Sequence, residues 1–155
     1  MSLTMVTDRT AADVANAGQL RSKMQTGQSL TSAETAVLER GSCTVTMLNR
    51  IENAEKQIAE LLNQYAYRVN IANKTWTNSM LFTYDDYHRV INNVSVLRAA
   101  FHVYAATPDV PAYMYGYAEA NAIEKNLLDL DELITDMVSR FRECGTFQCG
   151  EENEQ

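Results

Sequence analysis

Three stretches of this chain carry apolar residues at alternating spacings of three and four, and that rhythm limits what it can fold into. The first stripe is Thr44, Leu48, Ile51, Glu55, Ile58, Leu62 and Tyr65. The second is Tyr87, Val90, Val94, Leu97, Phe101 and Tyr104, and the third is Ile123, Leu127, Leu130, Ile134, Met137 and Phe141. At about 3.6 residues per turn each set falls on one face of a helix, and such a face must be buried against a neighbour. The pattern predicts a mainly α, multi-helix bundle. Each stripe is shorter than the roughly three to four heptads of an extended coiled coil, so the stripes should be satisfied mostly within one chain. The first carries Glu55 at an otherwise apolar position, which is expected to mark a place where the seam meets solvent or a partner's cation.

Capping signals place the remaining helices. Thr10-Ala11-Ala12-Asp13 offers a hydroxyl with an acid three positions later, and Gly27 follows the next polar stretch, predicting a helix over about 11–25. Thr31-Ser32-Ala33-Glu34 opens a short helix carrying Val37 and Leu38, stopped by Gly41. These two should form a small N-terminal helical pair. Thr83-Tyr84-Asp85-Asp86 opens the second long helix, and the turn Thr107-Pro108-Asp109-Val110-Pro111 should end it. Tyr65, Tyr67, Val69 and Ile71 alternate with polar residues in strand fashion, and 145–150 is a second short candidate, so a minor two-stranded β patch is an expectation.

The long stripes also resemble one another. Asn49-Arg50-Ile51-Glu52-Asn53, His88-Arg89-Val90-Ile91-Asn92 and Asn121-Ala122-Ile123-Glu124-Lys125 can be superposed, and apolar residues then coincide seven positions on at Ile58, Leu97 and Leu130. This suggests repetition, although any amphipathic helices coincide in part.

A chain of 155 residues with only two prolines and six glycines shows no Pro/Gly/Ser-rich linker, so 1–150 reads as a single helical domain. Glu151, Glu152 and Glu154 make 151–155 a disordered acidic tail by composition. The net charge of −7, with no cluster of Lys and Arg, disfavours nucleic acid and anionic membrane surfaces as partners. Apolar runs fall far short of the roughly 20 residues needed to span a bilayer. Cys43, Cys144 and Cys149 make an odd number without a visible leader, so free thiols in a reducing compartment are expected. Met1-Ser2-Leu3 has the look of a vector remnant and is left out of the fold expectations.

The residue types that carry chemistry are sparse. His88 and His102 lie fourteen apart, about four helical turns, and read as partly exposed helix residues. Cys144 and Cys149 have a spacing unlike paired structural-zinc ligands, although Cys43 and a histidine could in principle complete a site, and thiols are the expectation. Asp129, Glu132 and Asp136 share a helix face with Asp131 beside them, and the expectation is a solvated surface, since the glycine and terminal acid of a calcium loop are missing. Nucleotide-binding, zinc-protease and nucleophile-elbow motifs are absent. No catalytic, metal or cofactor-binding residue is therefore assigned, and no cofactor. Aromatic residues are dense around the loops leading into two helices: Trp76, Phe82, Tyr84 and Tyr87, then Tyr113, Tyr115 and Tyr117. They read either as staples fixing helix geometry or as a protein interface through Trp76, Phe82, Tyr84, Tyr113, Tyr115 and Tyr117.

Several of these segments resemble an uncharacterised protein family encoded in prophage structural-gene regions of Clostridia and related gut Firmicutes. The resemblance lies in residues 7–14 (TDRTAADV), Lys74-Thr75-Trp76-Thr77, 120–130 (ANAIEKNLLDL) and 144–151 (CGTFQCGE), which span most of the chain in order. It departs at Thr75, where the family commonly has an aspartate before the tryptophan. The resemblance implies a non-enzymatic, tail- or baseplate-associated bacteriophage structural protein, with other virion or tail proteins and further copies of itself as partners. It implies the bacterial cytoplasm during assembly, and then the virion. The rival expectation is a small enzyme or ligand-binding module whose site is assembled from distant residues.

Overall fold

The computed structural model describes residues 3–143, with side chains as far as Phe141. Five helices follow in order: α1 (Ala11–Gln25), α2 (Ser32–Gly41), α3 (Val45–Gln64), α4 (Tyr84–Ala100) and α5 (Tyr117–Glu143). The mainly α bundle is as the periodicity predicts, and no strand occurs among the described residues.

The N-terminal pair forms as the caps require. Thr10 with Asp13, and Thr31 with Glu34, make reciprocal capping boxes that satisfy first-turn amides. Gly27 stands just past α1 at φ +80°, a left-handed stop. α1 and α2 pack closely on each other. A Cβ at Gly41 would collide with the backbone carbonyl of Asp13, so only glycine allows that approach.

The three long helices bury their stripes together. Ile51, Ile58 and Leu62 of α3, Val90, Val94 and Leu97 of α4, and Ile123, Leu127, Leu130 and Ile134 of α5 are all essentially inaccessible. Each of α3, α4 and α5 touches the other two. Contacts between them rise in register: Arg89 meets Glu52 and Asn93 meets Glu55, Arg50 meets Glu124, and Arg98 meets Asn126. The helices therefore run parallel.

Parallel neighbours need long return connections, and these are extended straps lying along the helix grooves. Strap 65–83 leaves α3 beside Asn63, which bonds both backbone groups of Val69. It runs back to Asn49, which bonds both backbone groups of Trp76. Strap 101–116 returns between α4 and α5, where Asn126 and Arg98 both donate to the Pro108 carbonyl. The segment 3–9 closes the circle between α5 and α3: Leu3, Val6 and Arg9 donate backbone N–H groups to Asp131, Glu124 and Asn121. Each long helix thus follows its own strap, with α1 and α2 inserted between the first strap and α3.

The superposed sequence segments occupy matching places in this circle. Asn49 and Asn121 each bracket the peptide of one strap residue. Glu52 and Glu124, three positions on, each accept a strap N–H and a two-pronged arginine from the next helix, Arg89 and Arg50 respectively. In the α4–α5 groove the corresponding residues are His88, Ile91 and Ala122, so the asparagine–glutamate–arginine clasp is not repeated, and Arg98, Asn126 and Asp129 bond the strap instead.

Several expectations are corrected. Residues 65–71 form no strand: Tyr65 caps α3, Ala66 and Arg68 have φ of 66° and 52°, and the side-chain amide of Asn63 supplies the partner a sheet would have given Val69. The other candidate, 145–150, lies outside the described residues, as does the acidic tail. α4 ends at Ala100, well before the Thr107–Pro111 turn, because Phe101 turns extended and packs into the core while the strap bonds back to Arg98. Glu55 meets neither solvent nor a partner's cation; it is fully buried and bonded to Asn93. Asp129 and Asp131 are interior, Asp129 accepting from Thr107 and Lys125, whereas Glu132 and Asp136 keep the predicted exposure. Leu3, set aside as vector sequence, packs against the core.

Candidate functional site

The acids are the natural place to look for chemistry, and the fold has committed nearly all the interior ones to its own backbone. Glu52 takes Arg89 on both oxygens at 2.8 and 2.6 Å, the Trp76 indole at 3.0 Å and the Lys74 amide at 3.0 Å. Burial pushes this carboxyl up, yet these donors together hold it below its ordinary value, so it is an ionised anchor. Glu124 accepts hydrogen bonds from Arg9, Arg50 and the Val6 amide. Glu55 is different: burial pushes it up to about 8, with Asn93 pulling the other way and the charge of Glu52 adding to the rise. It is 0% exposed, so no substrate reaches it. These groups build the frame.

The histidines do not meet a nucleophile. His88 lies on α4, partly buried between the rings of Tyr84 and Tyr87 at 4.1 and 4.5 Å. His102 is exposed beyond α4 beside Phe101. Cys43 is a free, exposed thiol, whereas Cys144 and Cys149 lie outside the described residues. No group of His, Cys, Asp and Glu among the described residues is arranged to hold a metal ion.

Exposed aromatics stand at both ends of the helices, Tyr65, Tyr104 and Phe141 at the far end, and the tyrosines singled out from the sequence gather at the end where the parallel helices begin. The capping box at Thr83 fixes the start of α4, so Tyr84 and Tyr87 stand one turn apart with ring centroids 5.0 Å from each other. The last residues of strap 101–116 bring Tyr113 and Tyr115 to the same place, stacked at 4.7 Å, with Tyr115 6.4 Å from Tyr87. Tyr115 is 79% exposed, Tyr84 65% and Tyr113 48%. Burial and the neighbouring phenols push Tyr87 up to about 12, so its phenol stays neutral.

Two residues expected in that group belong elsewhere. Trp76 is buried, its indole N–H spent on Glu52 and its face covered by Lys74. Phe82 is half-buried against it at 5.5 Å, edge to face. Both therefore staple the strap to the helices, leaving the tyrosines as the surface. Tyr117 sits around the corner at the first turn of α5, moderately exposed.

Beside the cluster a cleft of about 280 Å³ opens between the α1–α2 pair and the bundle. Val14, Met47, Met114 and Ala120 make it apolar, Tyr115 and Tyr117 form one lip, and Arg21 of α1 forms the other. Arg21 is exposed and forms no ion pair among the described residues. The sequence gave no sign of this cleft, because its walls come from four separate segments. No protein-family model, curated protein or solved structure matches the chain. No described helix is long and apolar enough to cross a membrane.

Proposed function

We propose that this is a non-enzymatic assembly protein that works through protein contacts, of the bacteriophage tail or baseplate kind implied by the sequence resemblance. The observation that supports it is the exposed tyrosine cluster of Tyr84, Tyr113 and Tyr115. Tyrosines bury much area at small entropic cost and keep a hydroxyl for bonding, which suits an interface. They are mounted on a frame in which Glu52, Glu124 and Asp129 are tied to arginine or lysine, and such preorganisation favours binding. A catalytic reading has less support: Glu55, the interior acid raised most among the described residues, is sealed from solvent.

The test is co-expression with the products of the adjacent genes. Retention of a tail or baseplate product by the wild-type chain, and its loss from a Tyr84→Ser/Tyr113→Ser/Tyr115→Ser variant that still melts cooperatively, is the expected result. Metabolic neighbours, or binding indifferent to the three substitutions, would sink the proposal.

A further inference from the structure

The cleft and the tyrosine cluster lie at the start of α5, and the chain beyond Glu143 leaves from its other end. A helix of 27 residues is about 40 Å long. Four residues beyond Glu143 stands Phe147, and four to five further on stand Glu151 and Glu152. Even fully extended, four residues reach only about 14 Å and nine only about 32 Å. Ala120, the cleft residue nearest to Glu143 along α5, is about 34 Å from it, so Phe147 cannot return to the cleft of its own chain, although it can enter that of another.

We propose that residues 147–152 of a second copy occupy the cleft, Phe147 between Val14, Met47 and Met114, and Glu151 and Glu152 on Arg21, joining copies head to tail. The cleft, at about 280 Å³, is the size for one aromatic side chain, below most drug-sized pockets. Its free cation is Arg21, in a chain of net charge −7 whose last five residues hold three carboxylates. Charge complementarity therefore runs from one end of the molecule to the other. Such a contact is heterologous: it leaves a free cleft at one end and a free acidic segment at the other, so it propagates into a ring or filament. This inference rests on the assembly reading above and names its partner as the chain itself.

Phe82 lines the cleft and touches Trp76, the only tryptophan, so occupancy is visible in its fluorescence. The experiment uses the full chain under reducing conditions, light scattering over a wide concentration range, and a peptide with the sequence of residues 144–155 as competitor. Mass should rise with concentration, fall as salt is added, and return to the monomer when the peptide is present, with a change in Trp76 emission. Phe147→Ser and Arg21→Glu should each weaken association about tenfold or more, the loss expected on withdrawing a buried aromatic side chain or reversing its charge partner. Mixing Arg21→Glu chains with Glu151→Lys/Glu152→Lys chains should restore it. A mass independent of concentration overturns the proposal, as does association that survives both Phe147→Ser and Arg21→Glu. If surviving association is instead abolished by Tyr84→Ser/Tyr113→Ser, outside the cleft, the tyrosine interface stands while the head-to-tail contact falls.

Discussion

The Glu55 carboxyl lies against the Asn93 side chain, Nδ2 donating to Oε2 over 2.7 Å, with both residues out of contact with water. Among the described residues nothing bonds the second oxygen. The ionised Glu52 stands one turn away, so a second charge here would be repelled, and Glu55 keeps its proton until about pH 8. The unfolded chain gives that proton up near 4.5. Between these values the folded state binds more protons, so stability is complete below about 4.5 and declines as the pH rises through 8. Asp86, which Lys74 and Thr83 hold down to about 2 against the effect of burial, acts in the opposite sense only below its ordinary range. Maximum stability should therefore lie on the acid side of neutrality. Glu55→Gln should leave the melting temperature at pH 5 nearly unchanged, raise it at pH 8.5, and flatten the profile between. An equally steep profile in the variant would place the titrating group elsewhere.

Glu124 ties the first strap to two helices at once, through Arg9 and Arg50. Glu124→Ala leaves two arginines, one of them buried, without their counter-charge, which costs about 3–5 kcal/mol for a broken buried pair. Arg140→Ala removes an exposed pair with Asp136 and should change stability by less than about 0.5 kcal/mol. Urea midpoints of the two variants check this; comparable losses would mean that burial does not govern these pairs.

Leu130 is fully buried on α5. Leu130→Ala should cost about 2–5 kcal/mol, and Leu130→Asp more, since it adds an unpaired charge to a cavity. Phe141, about three turns further along the stripe but 65% exposed, should tolerate Phe141→Ala with little loss. Thermal melts of both chains decide whether the stripe is a core along its whole length or, as the exposure indicates, only up to Ile134.

Apolar spacing and capping boxes located all five helices, because both are local properties of a few adjacent residues. The same rhythm misplaced Glu55, Asp129 and Asp131: spacing puts a residue on a face, but whether an acid there is solvated depends on Asn93, Thr107 or the Leu3 amide, which are distant in sequence. The alternation at 65–71 is real, yet the 65–67 amides turn back onto α3 carbonyls and Val69 is met by the Asn63 side-chain amide, which period counting cannot distinguish from a neighbouring strand. The tyrosines were legible as a dense aromatic group. That Trp76 leaves the group was not, since its fate is set by Glu52, twenty-four residues earlier.

The paired asparagines make the last prediction. Asn49 bonds the amide and carbonyl of Trp76, and Asn121 those of Arg9, whose guanidinium also donates to Asn121, so each holds one strap by its backbone. A neutral hydrogen bond contributes about 0.5–1.5 kcal/mol net, so either substitution to alanine should destabilise the chain by about 1–3 kcal/mol. The global cost cannot tell the two apart, but amide exchange can, because a strap can open without unfolding the helices beneath it. Asn49→Ala should speed exchange at Lys74 and Trp76 while Val6 and Arg9 stay protected. Asn121→Ala should do the reverse. If the straps are separate clasps on one triangular bundle, the two patterns will not overlap; if either variant releases both straps together, the clasps are one cooperative unit and the match between the three strap-and-helix units is one of shape alone.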